Sequence, residues 1–150
     1  MDWMALSIGA VTSLVGSLGF ALIFRLSARY LLPASFGGLL AFVVYFVCDT
    51  FGMGLFTANL LAAIVGSLYS ELLARMMKTP SVEFMIPCII PLVPGSMLYH
   101  TMSHLLAAEY APAFDSFVKA MMTALGIAAG VIVLSVVSGI LAGIAKAKKQ

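Results

Sequence analysis

The chain has 150 residues, 63% of them hydrophobic and 9% charged, with a mean hydropathy of +1.13. A soluble domain of this size has too little interior to hide that much apolar surface, which makes the bilayer its solvent. The net charge of +2 comes without any basic stripe interleaved with aromatics, so nothing in the sequence calls for a nucleic-acid partner.

A membrane-crossing helix needs roughly 20 apolar residues, and five stretches qualify: residues 4–24, 34–53, 57–76, 84–107 and 120–145. They predict an all-α integral membrane protein, a bundle of five transmembrane helices forming one domain over residues 1–150. The first stretch has no basic residue before it and an apolar core longer than that of a signal peptide, so it reads as a retained helix. Its residues Ala5, Gly9, Ser13, Ser17 and Ala21 form a row of small side chains four apart. The third stretch carries a similar row, Ala58, Ala62, Gly66, Ser70 and Ala74. The fifth carries the pairs Gly126 with Gly130 and Gly139 with Gly143. Such rows allow close backbone approach between helices in lipid. So small a bundle offers few internal contacts, which predicts that at least one row faces another subunit, such as a second copy in a homo-oligomer.

Five crossings sort the charges. Arg25 and Arg29 follow the first stretch, Arg75 and Lys78 the third, and Lys146, Lys148 and Lys149 the fifth, so seven of the eight basic residues share one side. Lys119 stands opposite, in an acidic loop with Glu109 and Asp115. The positive-inside rule then puts the N-terminus outside and the C-terminus in the cytoplasm. Glu71 and Arg75 are spaced as a helix pair, and Trp3, Tyr30 and Tyr110 fit interface anchors. Cys48 and Cys88 fall inside spans, where a thiol behaves as a small apolar group.

The fourth stretch contains IPCIIPLVPGSMLYH, three prolines and a glycine inside residues 86–100. Proline removes a backbone donor and costs about 3 kcal/mol within a helix. Thr79 can cap the start, with Pro80 at the first helical position. The interruption is then expected at Pro87, Pro91 and Pro94-Gly95, near the bilayer centre. Irregular backbone at that depth must face protein or a watery cavity. Ser96 is placed to cap a second half-helix whose amides would face a carboxylate, which makes Pro94, Gly95, Ser96, Tyr99 and His100 the candidate substrate-binding residues. A proline kink that only shapes packing is the competing reading. Asp49 and His100 lie at a common depth, each about 7–8 Å to the outer side of its span centre, and form a candidate proton-coupling pair. If the second span ends early, Asp49 instead sits in an aqueous turn.

No nucleophile or acid pair has a catalytic setting, and no cofactor is called for, so the chain reads as a non-enzyme. His100 and His104 have metal-ligand spacing but lack the glutamate of a zinc-protease helix, and no metal is expected.

The segment PSVEFMIPCIIPLVPGSMLYHTM, with VGSLGFALIF in the first span and SLYSELLARMMKTP before the break, resembles the C-terminal membrane half of the threonine/serine exporter family. The resemblance covers nearly the whole chain, and IIPLVPG with the following Tyr99 is its most specific part. It implies a multi-pass protein of the bacterial cytoplasmic membrane that exports small carboxylate metabolites, threonine and serine or a dicarboxylate such as succinate. It also implies a two-component arrangement with a larger membrane subunit of the same family. A non-catalytic assembly subunit of a membrane complex is the alternative function.

Overall fold

The computed structural model describes residues 3–147, with side chains through residue 140. All regular elements among the described residues are helical: α1 Trp3–Ile23, α2 Ala28–Thr50, α3 Leu55–Met77, α4 Ser81–Ile89, a 3-10 turn Ile90–Leu92, α5 Gly95–Leu106 and α6 Tyr110–Ala147. Four of these, α1, α2, α3 and α6, are long and apolar enough to cross a bilayer.

Lipid inverts the usual distribution of side chains. The interior is built from small groups such as Ala34, Ala62, Ser17 and Ser70, while Val11, Leu72, Ile132 and Val136 point outward. Small residues let the helices touch backbone to backbone, and hydrocarbon solvates the large ones. The central element is α3, packed against α6, α2 and α4. On α6, a Cβ at Gly126 would lie 2.5 Å from Phe56 O, and one at Gly130 would lie 2.6 Å from Leu60 O, so glycine is what permits this contact. On α2, a side chain at Gly37 would meet Cys88 Sγ of α4, and one at Gly38 would meet Ser17 Oγ of α1 and Pro87 O of α4, which is how both helices come close.

Most residues of the α1 and α3 rows are therefore used inside the bundle. Ser13, Ser17 and Ala21 of α1 are buried, as are Ala58, Ala62, Gly66, Ser70 and Ala74 of α3. Gly139 alone of the expected glycine pairs opens onto free space, and the side-chain surroundings of position 143 lie outside the described residues.

Several boundaries depart from expectation. Helix α2 begins at Ala28 and runs through Pro33. Proline frees only the carbonyl of Arg29, near the helix end where water is close, and Tyr69 Oη donates to Pro33 O at 2.9 Å. The same helix stops at Thr50, because Gly52 takes φ +72° and Met53 N bonds back to Cys48 O. The segment expected as an acidic outer loop is the first part of α6, which starts at Tyr110 with Pro112 in its first turn, where proline is tolerated. Asp115 and Lys119 pair there at 2.6 Å. Glu71 and Arg75 pair at 3.1 Å.

Candidate functional site

Prolines act differently at each position in the fourth stretch. Pro87 stays within α4, fully buried, so it does not break the helix. Pro91 lies in the 3-10 turn, whose tighter geometry follows from the lost donor. The chain leaves helix at Val93, which is extended at φ −61°, ψ 129°. The cause is Pro94, since a proline ring drives the residue before it out of the α region. Helix α5 then starts at Gly95, at a bend of 49° from the preceding segment.

Capping differs from the sequence reading at both ends. Pro94, not Ser96, occupies the cap position of α5, and no side chain caps it. Pro80 is the cap residue of α4, and the buried hydroxyl of Thr79 has no partner among the described residues. The amides of Ser96 and Met97 and the carbonyls of Pro91 and Leu92 take no backbone hydrogen bond among the described residues. Donors and acceptors without backbone partners thus lie within a few residues of one another at the break.

A cavity of about 160 Å³ lies against this break. Pro91, Leu92, Val93 and Pro94 form one side, with Ser96 and Met97 of α5 beside them. Phe42 and Tyr45 of α2, Asn59 of α3 and Thr123 of α6 complete the lining. No charged side chain lines it among the described residues. Asn59 is 1% exposed, and the one hydrogen bond its side chain makes runs from Nδ2 to Leu55 O at 2.7 Å. Its Oδ1 and second amide hydrogen have no partner among the described residues. Thr123 is buried as well, its hydroxyl 3.7 Å from Met97 Sδ.

Of the five candidate binding residues, Pro94 and Ser96 line the cavity. Gly95 does not, and a Cβ there would meet nothing within 4 Å. Tyr99 and His100 lie farther along α5, exposed on its surface. Asp49 is exposed in the last turn of α2 and forms no hydrogen bond or ion pair with His100 among the described residues. His104 Nδ1 is engaged by Glu109 Oε2 at 2.7 Å. Asn59 and Thr123 were not among the candidates, though signals exist. Asn59 is the chain's single asparagine and sits within an apolar span, and Thr123 lies one turn before Gly126 on the glycine face of α6.

Among the described residues, an all-helical bundle whose large apolar side chains point outward, with four helices long and apolar enough to cross a bilayer, defines a multi-pass membrane protein. The family model described as "Threonine/Serine exporter, ThrE" matches residues 9–137, and the chain belongs to that family. No curated protein and no solved structure matches the chain.

Proposed function

We propose that the chain is the membrane subunit of a two-component secondary exporter in the bacterial cytoplasmic membrane, working with a larger partner subunit and carrying threonine- or serine-sized amino acids. The observation that carries this reading is the cavity at the break. It offers amide donors at the start of α5 for a carboxylate, and carbonyls at Pro91 and Leu92 for an ammonium group. Asn59, Ser96 and Thr123 add hydrogen-bonding groups suited to a side-chain hydroxyl. An uncharged lining favours a zwitterion of no net charge over a dicarboxylate, because two uncompensated negative charges are costly to desolvate. A cavity near 150 Å³ holds a benzene-sized molecule, which matches the scale of a small amino acid.

The bend of 49° supports reading α4 and α5 as one broken span, since the second half still runs onward. That gives five crossings, an outside N-terminus and a cytoplasmic C-terminus. Thr123→Val keeps the shape of the side chain and removes its hydroxyl. It is expected to lower threonine and serine export roughly tenfold, with unchanged amounts in the membrane, because the hydroxyl of the bound solute is left without its partner. Asn59→Leu is expected to do the same. Unchanged export in both variants, measured in cells expressing the full exporter, would refute the cavity as the binding site.

A further inference from the structure

Helix α5 packs substantially against α6 alone. Thr101 and Leu105 form the α6 side, over a groove with Ala113, Phe114 and Phe117. The opposite side carries Ser96, Tyr99, His100 and Ser103, spaced i, i+3, i+4 and i+7, and therefore stacked on one face over two turns. All four are exposed, Tyr99 to 69%, and none of their side chains makes a hydrogen bond among the described residues. A phenol, an imidazole and two hydroxyls facing hydrocarbon would each lose their water without compensation.

The face has a beginning and an end. Ser96 belongs to the cavity lining. From there the rings of Tyr99 and His100 stand 5.6 Å apart, and those of His100 and His104 stand 6.3 Å apart. The row ends at the His104–Glu109 pair where α5 closes. Ser96 to Ser103 spans about 10 Å along the axis, most of one leaflet of a hydrocarbon core roughly 30 Å thick.

We propose that the face of α5 bearing Ser96, Tyr99, His100 and Ser103 is one wall of an aqueous passage that carries the solute from the cavity to the outer surface. Water supplies the hydrogen bonds these side chains lack, and hydroxyls and rings at successive turns give a departing zwitterion polar contacts along its way. The opposite wall, which keeps lipid out, belongs to the second membrane unit of the exporter, so the inference rests on the exporter reading above.

Single cysteines at 96, 99, 100 and 103 are compared with cysteines at 98, 102 and 105, in whole cells carrying the full exporter, by adding a charged, membrane-impermeant thiol reagent outside. Native Cys48 and Cys88 are buried and stay in place as internal controls. The first set is expected to react roughly tenfold faster than the second, since labelling follows access to water. Equal rates on the two faces, or no reaction at the four positions, would overturn the passage. Ser103→Trp gives an independent reading: a plug at the mouth lowers export roughly tenfold while Met102→Trp does not, and normal export by Ser103→Trp would also overturn it. Labelling does not depend on the solute. A labelled face with no effect of Thr123→Val counts against the amino-acid site alone, and an unlabelled face beside a clear Thr123→Val effect counts against the passage alone.

Discussion

At Arg25, Lys78 and Ala108 the backbone turns left-handed on residues that carry a Cβ, with φ between 55° and 59°. Each follows a helix and is locked by a long return bond: Leu26 N to Ala21 O, Thr79 N to Ala74 O, and Glu109 N to His104 O. These are Schellman caps built without glycine, at a cost of about 1 kcal/mol each. At Arg25 and Lys78 the same residue also brings a positive charge to the negative end of a helix dipole, which offsets part of the strain. Ala108 has no such return. Ala108→Gly is therefore expected to stabilise the protein by about 1 kcal/mol, read as a rise in the thermal unfolding midpoint in detergent. The cap at Gly52 was open to sequence reasoning, but the other three lacked their usual residue, and two helix ends were drawn from hydropathy alone. Asn59 escaped for a related reason. A polar residue in an apolar span is visible, but whether it meets a cavity or only its own helix depends on which neighbour packs over it.

At the scale of the element, α6 shows what a glycine spacing can and cannot reveal. Two pairs at the same spacing were visible in its sequence, and nothing local separated Gly126 with Gly130 from Gly139 with Gly143. Only packing distinguishes them: the first pair lies on the backbone of α3, and Gly139 faces open space. Gly126→Ala puts a methyl group against Phe56 O, forcing the helices apart at a cost of about 1–3 kcal/mol. Because Asn59 Cβ lies on the same contact, the cavity should deform too, and both thermal stability and export are expected to fall. Gly139→Ala should leave export unchanged and gain up to about 1 kcal/mol from helix propensity. The broken helix was legible in outline, since several prolines in an apolar stretch admit few alternatives. The extent of the break was not, because Pro87, expected to interrupt along with Pro91 and Pro94-Gly95, is absorbed where Gly38 leaves room for its turn.

For the molecule as a whole, composition established the solvent and the charge order suggested the orientation. Arg25, Arg29, Arg75 and Lys78 fall in the α1–α2 and α3–α4 turns or at their edges, on one side because α2 and α3 lie between them, and the α5–α6 turn is opposite if the bent pair is a single crossing. Cysteines introduced by Ser27→Cys, Gly54→Cys and Ala107→Cys test this directly. The last two are expected to react with an impermeant reagent from outside and the first only after the membrane is opened. Reaction of all three from one side would refute five crossings. The expectation that a small-residue row faces another subunit had sound local grounds. Most of the α1 and α3 rows are used inside the bundle, where α3 packs against α6, α2 and α4, while Ala5 and Gly139 stay on the surface together with the polar face of α5.

The lopsided attachment of α5 makes it a cantilever. It is clamped along one side by α6 and pinned at its inner end by the two residues Val93 and Pro94, which carry no helical bonding across the joint. Its opening therefore needs far fewer contacts to be released than that of α3, which is enclosed by three neighbours. In hydrogen–deuterium exchange, amides of α5 should exchange well before those of α3, with the change of rate falling at the joint and not at Pro87. Equal protection of the two helices would mean that the joint is rigid.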